Sequence, residues 1–389
     1  MKGIFVILLS LATSMSYAAA SNVDVWLTSN GGPGGLGTIN GGYQLTGDFN
    51  GDGKEDYLWY TAGWNVALSN GTGFNTPTQW LSQYGGPGGV VTYNAGYQYV
   101  ADMNGDGKDD FVWYASGWNV ALSTGTGFSA PTRWLTHNGG PGGVITYNGG
   151  YQYLADMNGD GKDDFVWYAS GWNVALSTGT GFSAPTRWLT YNGGPGGVIT
   201  YNGGYQFFAD FNGDGMDDYM WYASGWNVAL STGGGFSSPV RWLAYNGGPG
   251  GGLTYSAIMK IGDFNGDGLA DYMWNYANKW NVTLSYGTGF YTPTTWLTGY
   301  GSYSPLVGDF NADGIDDGLF WNPYGGWYLG ISSGSTFVSP SLWLHVNGGP
   351  GGIFTYAYGA GNQFTGDFDG NGTADFFWYG SNYGWNVAR

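Results

Sequence analysis

Seven times along the chain, oxygen-bearing side chains fall at positions 1, 3, 5 and 9 of a nine-residue loop. Glycine is the usual residue at positions 4 and 6, where it permits a tight turn. Six copies read Asp, Asn, Asp, Asp: Asp48, Asn50, Asp52 and Asp56; Asp102, Asn104, Asp106 and Asp110; Asp156, Asn158, Asp160 and Asp164; Asp210, Asn212, Asp214 and Asp218; Asp263, Asn265, Asp267 and Asp271; Asp309, Asn311, Asp313 and Asp317. The seventh offers Asp367, Asp369, Asn371 and Asp375. A backbone carbonyl is expected to complete each set at position 7, from Lys54, Lys108, Lys162, Met216, Leu269, Ile315 and Thr373. Hard oxygens at this density suit Ca²⁺ better than Mg²⁺, which demands stricter octahedral geometry and keeps more of its waters. An EF-hand begins similarly but needs a Glu at position 12 and flanking helices, and both are missing.

The charge distribution agrees. Of 27 acidic residues, 21 lie at these positions, leaving Asp24, Glu55, Asp109, Asp163, Asp217 and Asp316 outside them. Up to seven calcium ions would offset most of the formal charge of −17. Asp, Asn and Gly also make Asx turns with no metal, but seven complete copies at one point of a repeat favour ligation. The expected role is structural. Three carboxylates in one turn repel one another until a cation arrives, which couples metal binding to folding.

The elements that must position these loops repeat with them. Successive loops start 54, 54, 54, 53, 46 and 58 residues apart, and the units at 92–145 and 146–199 differ at three positions. Within 151–190, β-rich runs at Tyr151 to Met157, Phe165 to Ala169, Trp172 to Ser177 and Thr186 to Thr190 are separated by glycine-rich turns, with no helical period. Four short strands per unit make one antiparallel sheet, and radial stacking of such sheets is a β-propeller. The 21 Trp fall into three sets of seven. The fourth-strand set is complete only if Trp26, one period before Trp80, is counted with it, because the last unit stops at Arg389 after its third strand. Val23–Thr28 is therefore expected to supply the fourth strand of the last blade. The fold predicted is all-β: a seven-bladed propeller of four-stranded antiparallel blades spanning 21–389, closed by its N-terminal strand.

Composition narrows the function. Seventy-seven glycines, 19% aromatic and 10% charged residues exclude a coiled coil or helical bundle. Absence of cysteine rules out disulfide frameworks, thiolate metal sites and cysteine nucleophiles. Two histidines leave little material for imidazole chemistry, and the acidic balance argues against nucleic acid as a partner. Lys2, the apolar run from Ile4 to Leu11 and Ala18-Ala19-Ala20 read as a signal peptide over 1–20. Its apolar run is too short to span a bilayer, and no second one follows. Export, to the periplasm or outside the cell, is expected, with no transmembrane segment.

At the loops the chain resembles the FG-GAP/VCBS repeat family, which includes integrin-α-type propellers and propeller lectins. The residues that carry this are Asp102-Met103-Asn104-Gly105-Asp106-Gly107-Lys108-Asp109-Asp110, then Phe111-Val112-Trp113, Val120-Ala121-Leu122-Ser123 and Gly125-Thr126-Gly127-Phe128. The resemblance implies calcium between the first and second strands of a blade, and cell-surface or carbohydrate recognition as common tasks. A complete loop in every blade departs from the integrin pattern.

Six Gly-Gly-Pro-Gly-Gly segments, at 31–35, 85–89, 139–143, 193–197, 247–251 and 348–352, follow the fourth strands. They read either as rigid connectors or as repeated shallow pockets at blade junctions, with Tyr147, Asn148, Tyr201 and Asn202 offering rings and amides to sugars. Trp118 with Asn119, and Trp172 with Asn173, are the other candidates; against them stands the tendency of repeated Trp to pack between sheets. The function expected is a multivalent lectin or adhesin for glycans or cell-surface glycoconjugates, with an integrin-like protein ligand as the alternative. A polysaccharide-acting enzyme is disfavoured, because a glycosidase needs two carboxylates outside the metal loops.

Overall fold

A computed structural model describes residues 23–28, 44–61, 63–82, 98–136, 152–169, 171–190, 205–244, 258–300, 304–322, 325–338, 340–345, 363–380 and 384–389. Their regular structure is all β: seven four-stranded antiparallel sheets, each one blade. In six blades the strands pair in chain order. In the seventh, the sheet runs Gln363–Gly366, Asp375–Gly380, Gly384–Ala388 and then Val23–Thr28, so the first of the described strands completes the last blade. Val23 pairs with Ala388 and Thr28 with Gly384.

In the third blade the strands are Gln152–Ala155, Asp164–Tyr168, Gly171–Ala175 and Thr186–Thr190. The fourth matches expectation, and the others are shorter or shifted by a residue or two. Met157 belongs to the loop, where its N–H donates to Asp164 Oδ2, and Ser177 forms only an isolated bridge with Phe182.

Burial explains the sequence pattern. Second and third strands have a sheet on either side, so Asp164–Tyr168 and Gly171–Ala175 are buried at nearly every position instead of alternating. The outer strand Thr186–Thr190 buries only Trp188 and Leu189.

The core lies between blades and is aromatic. Each third-strand Trp meets the second strand of the next blade: Trp64 with Phe111, Trp118 with Phe165, Trp172 with Tyr219, Trp226 with Tyr272, Trp280 with Phe320 and Trp327 with Phe376, at centroid separations of 4.5–5.4 Å. Trp385 meets Tyr57 at 4.7 Å and completes the circle. Six of the fourth-strand Trp residues pack edge-on against a Phe of the following blade, as Trp26 does on Phe74 at 5.3 Å, whereas Trp343 packs on Phe310 of its own blade. Such tilted and edge-to-face pairs suit the ring quadrupoles.

Candidate metal centre

Each loop winds around its first residue. Asp102 Oδ1 accepts from the N–H groups of Asn104, Gly105 and Asp106, and Oδ2 from Gly107. The carboxylate thus organises the turn and presents its oxygens on the inside. Position 9 closes the loop from below. Asp110 is fully buried; Oδ2 accepts from Met103 N–H at 3.1 Å and Oδ1 from Ser123 N–H at 2.6 Å. Burial strips water from these carboxyls and pushes Asp56, Asp218, Asp271 and Asp375 up to about 8, and Asp110, Asp164 and Asp317 to about 7, despite the N–H groups that oppose the rise.

Position 5 divides the loops. In the first three its carboxylate pairs with the lysine two residues on: Lys54 with Asp52 at 3.0 Å, Lys108 with Asp106 at 2.9 Å and Lys162 with Asp160 at 2.8 Å. For Asp106 and Asp160, partial desolvation works against ionisation, but the ammonium, backbone and amide donors outweigh it and hold both carboxyls below the usual range. In the next three, Asn212, Asn265 and Asn311 donate from Nδ2 to Asp214, Asp267 and Asp313 at 2.9 Å. In the seventh, Asp367, Asp369 and Asp375 converge, with ligand oxygens all within 4.8 Å of one another.

These residues fit a calcium ion. The donors are carboxylate and amide oxygens, the set Ca²⁺ takes. Two predicted ligand atoms, Asn50 Oδ1 and Asp375 Oδ1, are buried with no hydrogen-bond partner. An orphaned buried carboxylate oxygen is costly unless something positive meets it.

The loops are also tied to one another by groups that the sequence reading passed over. The N–H at position 8 donates to the position 1 carbonyl of the preceding blade: Glu55 to Asp367, Asp109 to Asp48, Asp163 to Asp102, Asp217 to Asp156, Ala270 to Asp210, Asp316 to Asp263 and Ala374 to Asp309, at 2.6–3.0 Å. Asp109, Asp217 and Asp316 return the bond, accepting on Oδ2 from the N–H of Asp48, Asp156 and Asp263. Ser69, Ser123, Ser177, Ser231, Ser285 and Ser332 donate from Oγ to the position 2 carbonyl of the preceding loop at 2.5–2.6 Å. The one available signal was recurrence of this Ser two residues after the third strand in six of the seven blades.

Trp118, Asn119, Trp172 and Asn173 are fully buried. The two rings are committed to the neighbouring blade. Asn119 Nδ2 donates to the Ala115 and Gly117 carbonyls and caps the hairpin turn, and Asn173 does the same at Ala169 and Gly171. Tyr147, Asn148, Tyr201, Asn202, the six Gly-Gly-Pro-Gly-Gly segments and residues 1–20 lie outside the described residues.

A surface feature was missed. Tyr286 and Tyr291, on the turn after the third strand of the fifth blade, are 49% and 59% exposed with ring centroids 4.9 Å apart. Other blades carry Asn70 and Asn75, Thr124 and Ser129, Thr178 and Ser183, Thr232 and Ser237, or Ser333 and Val338 at these places. The turn is braced from both sides: Ser285 N–H donates to Asp271 Oδ1 of its own loop, and Ser285 Oγ to the Phe211 carbonyl of the preceding one.

The FG-GAP-like repeat profile matches residues 48–113 and 263–320. Among curated protein sequences, none matches the chain. Among solved structures, a lectin from Agrocybe aegerita, described by its recognition of non-reducing terminal N-acetylglucosamine, aligns at TM-score 0.62 and 20% identity over 77% of this chain and 79% of its own. The Tc holotoxin pore of Photorhabdus luminescens aligns at TM-score 0.50 and 17% identity over 85% of this chain and 16% of its own. At these identities the likeness is one of fold.

Proposed function

Starting from a seven-bladed propeller that carries FG-GAP-like repeats, we propose that this is an exported, calcium-stabilised protein that binds carbohydrate as a lectin or adhesin. Calcium would be held by positions 1, 3, 5 and 9 of each loop with the position 7 carbonyl, joining the two ends of a turn whose carboxylates otherwise repel. Nothing in this role requires chemistry from the metal. It would brace the first and second strands and, through the Ser and position 8 contacts, the neighbouring blade.

The observation that carries the carbohydrate reading is the Tyr286–Tyr291 pair. Two half-exposed rings tilted by 58° form an open platform on a loop-braced turn. Tyrosine offers a large, rigid, amphipathic contact at low entropic cost. Its faces suit the C–H side of a pyranose and its hydroxyls the sugar oxygens. From Tyr286 to Thr292 the turn holds no charged residue, which favours a neutral glycan. Further sites at the blade junctions would make the ring multivalent.

A glycan array read with and without EDTA, using the wild type and Tyr286→Ala/Tyr291→Ala, tests this. Calcium-dependent, sugar-specific signal that the double variant loses supports the reading. Silence across the array, with a protein captured through the same tyrosines, would replace it with an integrin-like interaction propeller.

A further inference from the structure

The three lysines at position 7 are placed more firmly than ordinary surface ion pairs. Each stem crosses the position 4 glycine of the preceding loop so closely that a Cβ there would lie 3.1 Å from the lysine Cγ: Lys54 over Gly370, Lys108 over Gly51 and Lys162 over Gly105. Met216, Leu269 and Ile315 fill the same slot over Gly159, Gly213 and Gly266. The packing is common to these six loops, but only in the first three does it deliver an ammonium group onto the position 5 carboxylate, at 2.8–3.0 Å. In the fourth to sixth the same carboxylate meets a neutral amide. In the seventh, Arg389 is 3.9 Å from Asp369 but has its closer partner in Asp24, at 2.7 Å.

We propose that Lys54, Lys108 and Lys162 are tethered counter-ions that occupy the metal's place in the first three loops, so that the seven loops fill in two classes with the lysine-bearing ones last. The inference rests on the calcium reading above. A divalent ion entering these loops must share a carboxylate with an ammonium group a few ångströms away or displace it into water. The Coulomb cost in water makes these loops roughly tenfold weaker. Between fillings the tethered charge keeps the carboxylates from repelling unopposed, so the first three blades depend less on the metal than the other four.

Calorimetric titration of the chelator-stripped full chain with CaCl₂ tests the proposal. The expected result is two classes, with three ions binding about tenfold more weakly. Lys54→Met/Lys108→Met/Lys162→Met, a change the Met216 slot shows the packing accepts, should merge the weak class into the strong one. Met216→Lys should move one ion the other way. A single class of sites in the wild type, or a triple variant whose titration superimposes on it, overturns the proposal and leaves the calcium reading standing. No calcium uptake at millimolar concentration overturns both.

Discussion

Trp385, on the last strand but one of the closing sheet, lies 4.7 Å from Tyr57 of the first blade, the same relationship that Trp172 has to Tyr219. The junction between the two ends of the chain is therefore packed like any internal one. Around it, Arg389 pairs with Asp24 and lies over the Trp26 ring, 5.7 Å from its centroid.

Closure should depend on apolar packing more than on charge. Trp385→Ala is expected to cost about 3–5 kcal/mol, the usual range for emptying a buried Trp site. Asp24→Ala, which removes an exposed partner, should cost less than about 1 kcal/mol. Chemical denaturation of both variants checks the order, and a reversed order would mean the ion pair holds the ring.

The serine contacts are predicted to hold neighbouring blades together. In Ser177→Ala the Met103 carbonyl loses its Oγ donor in a buried setting, which should cost about 1–3 kcal/mol. Ser333→Ala, one residue past the equivalent Ser332, is the control: it loses an exposed bond to the Thr336 carbonyl within its own turn and should cost less than about 1 kcal/mol.

Position 4 makes a paired prediction. Gly213 has φ +77° and faces Leu269 Cδ2, which a Cβ would approach to 2.8 Å. Gly213→Ala should therefore lose about 1–2 kcal/mol from the left-handed conformation alone. Ala312, the residue at this place in the sixth loop, already sits at φ 59°. Ala312→Gly should relieve that strain, less the backbone entropy glycine adds to the unfolded chain, for a gain of roughly 0.5 kcal/mol. Thermal melts under saturating calcium compare the two.

Stability of the metal-free protein should fall as pH rises, and the calcium effect should grow. In the metal-free protein the position 9 carboxyls have folded pKa values of about 7 to 8, above those of the unfolded chain near 4. Their contribution is complete below the unfolded value and is lost as pH rises through the folded one. With EDTA the melting temperature should fall between pH 5 and pH 8.5. Calcium binds the ionised form, so the rise in melting temperature it causes should grow over the same interval. A calcium effect of equal size at pH 5 and pH 8 would contradict the ligand assignment.

Blade number, strand content and end-to-end closure were legible in the chain because each rests on local repetition: turn chemistry every 54 residues or so, and one Trp set that is complete only across the two ends. Candidate ligand positions in the loops could be named for the same reason, since all four side chains lie within nine residues. What the tertiary structure decided were contacts between blades, whose partners are remote in sequence. The fate of Trp118 and Asn119 is one case: a ring and an amide suited equally to a sugar or a core, assigned to the core only by the sheet laid against them. The roles of Ser177 and of Asp109, and the exposure of Tyr286 beside Tyr291, are others. Periodicity states which residues recur. Which face of a recurring residue meets a neighbour, and which meets water, is set by how one wedge seats against the next.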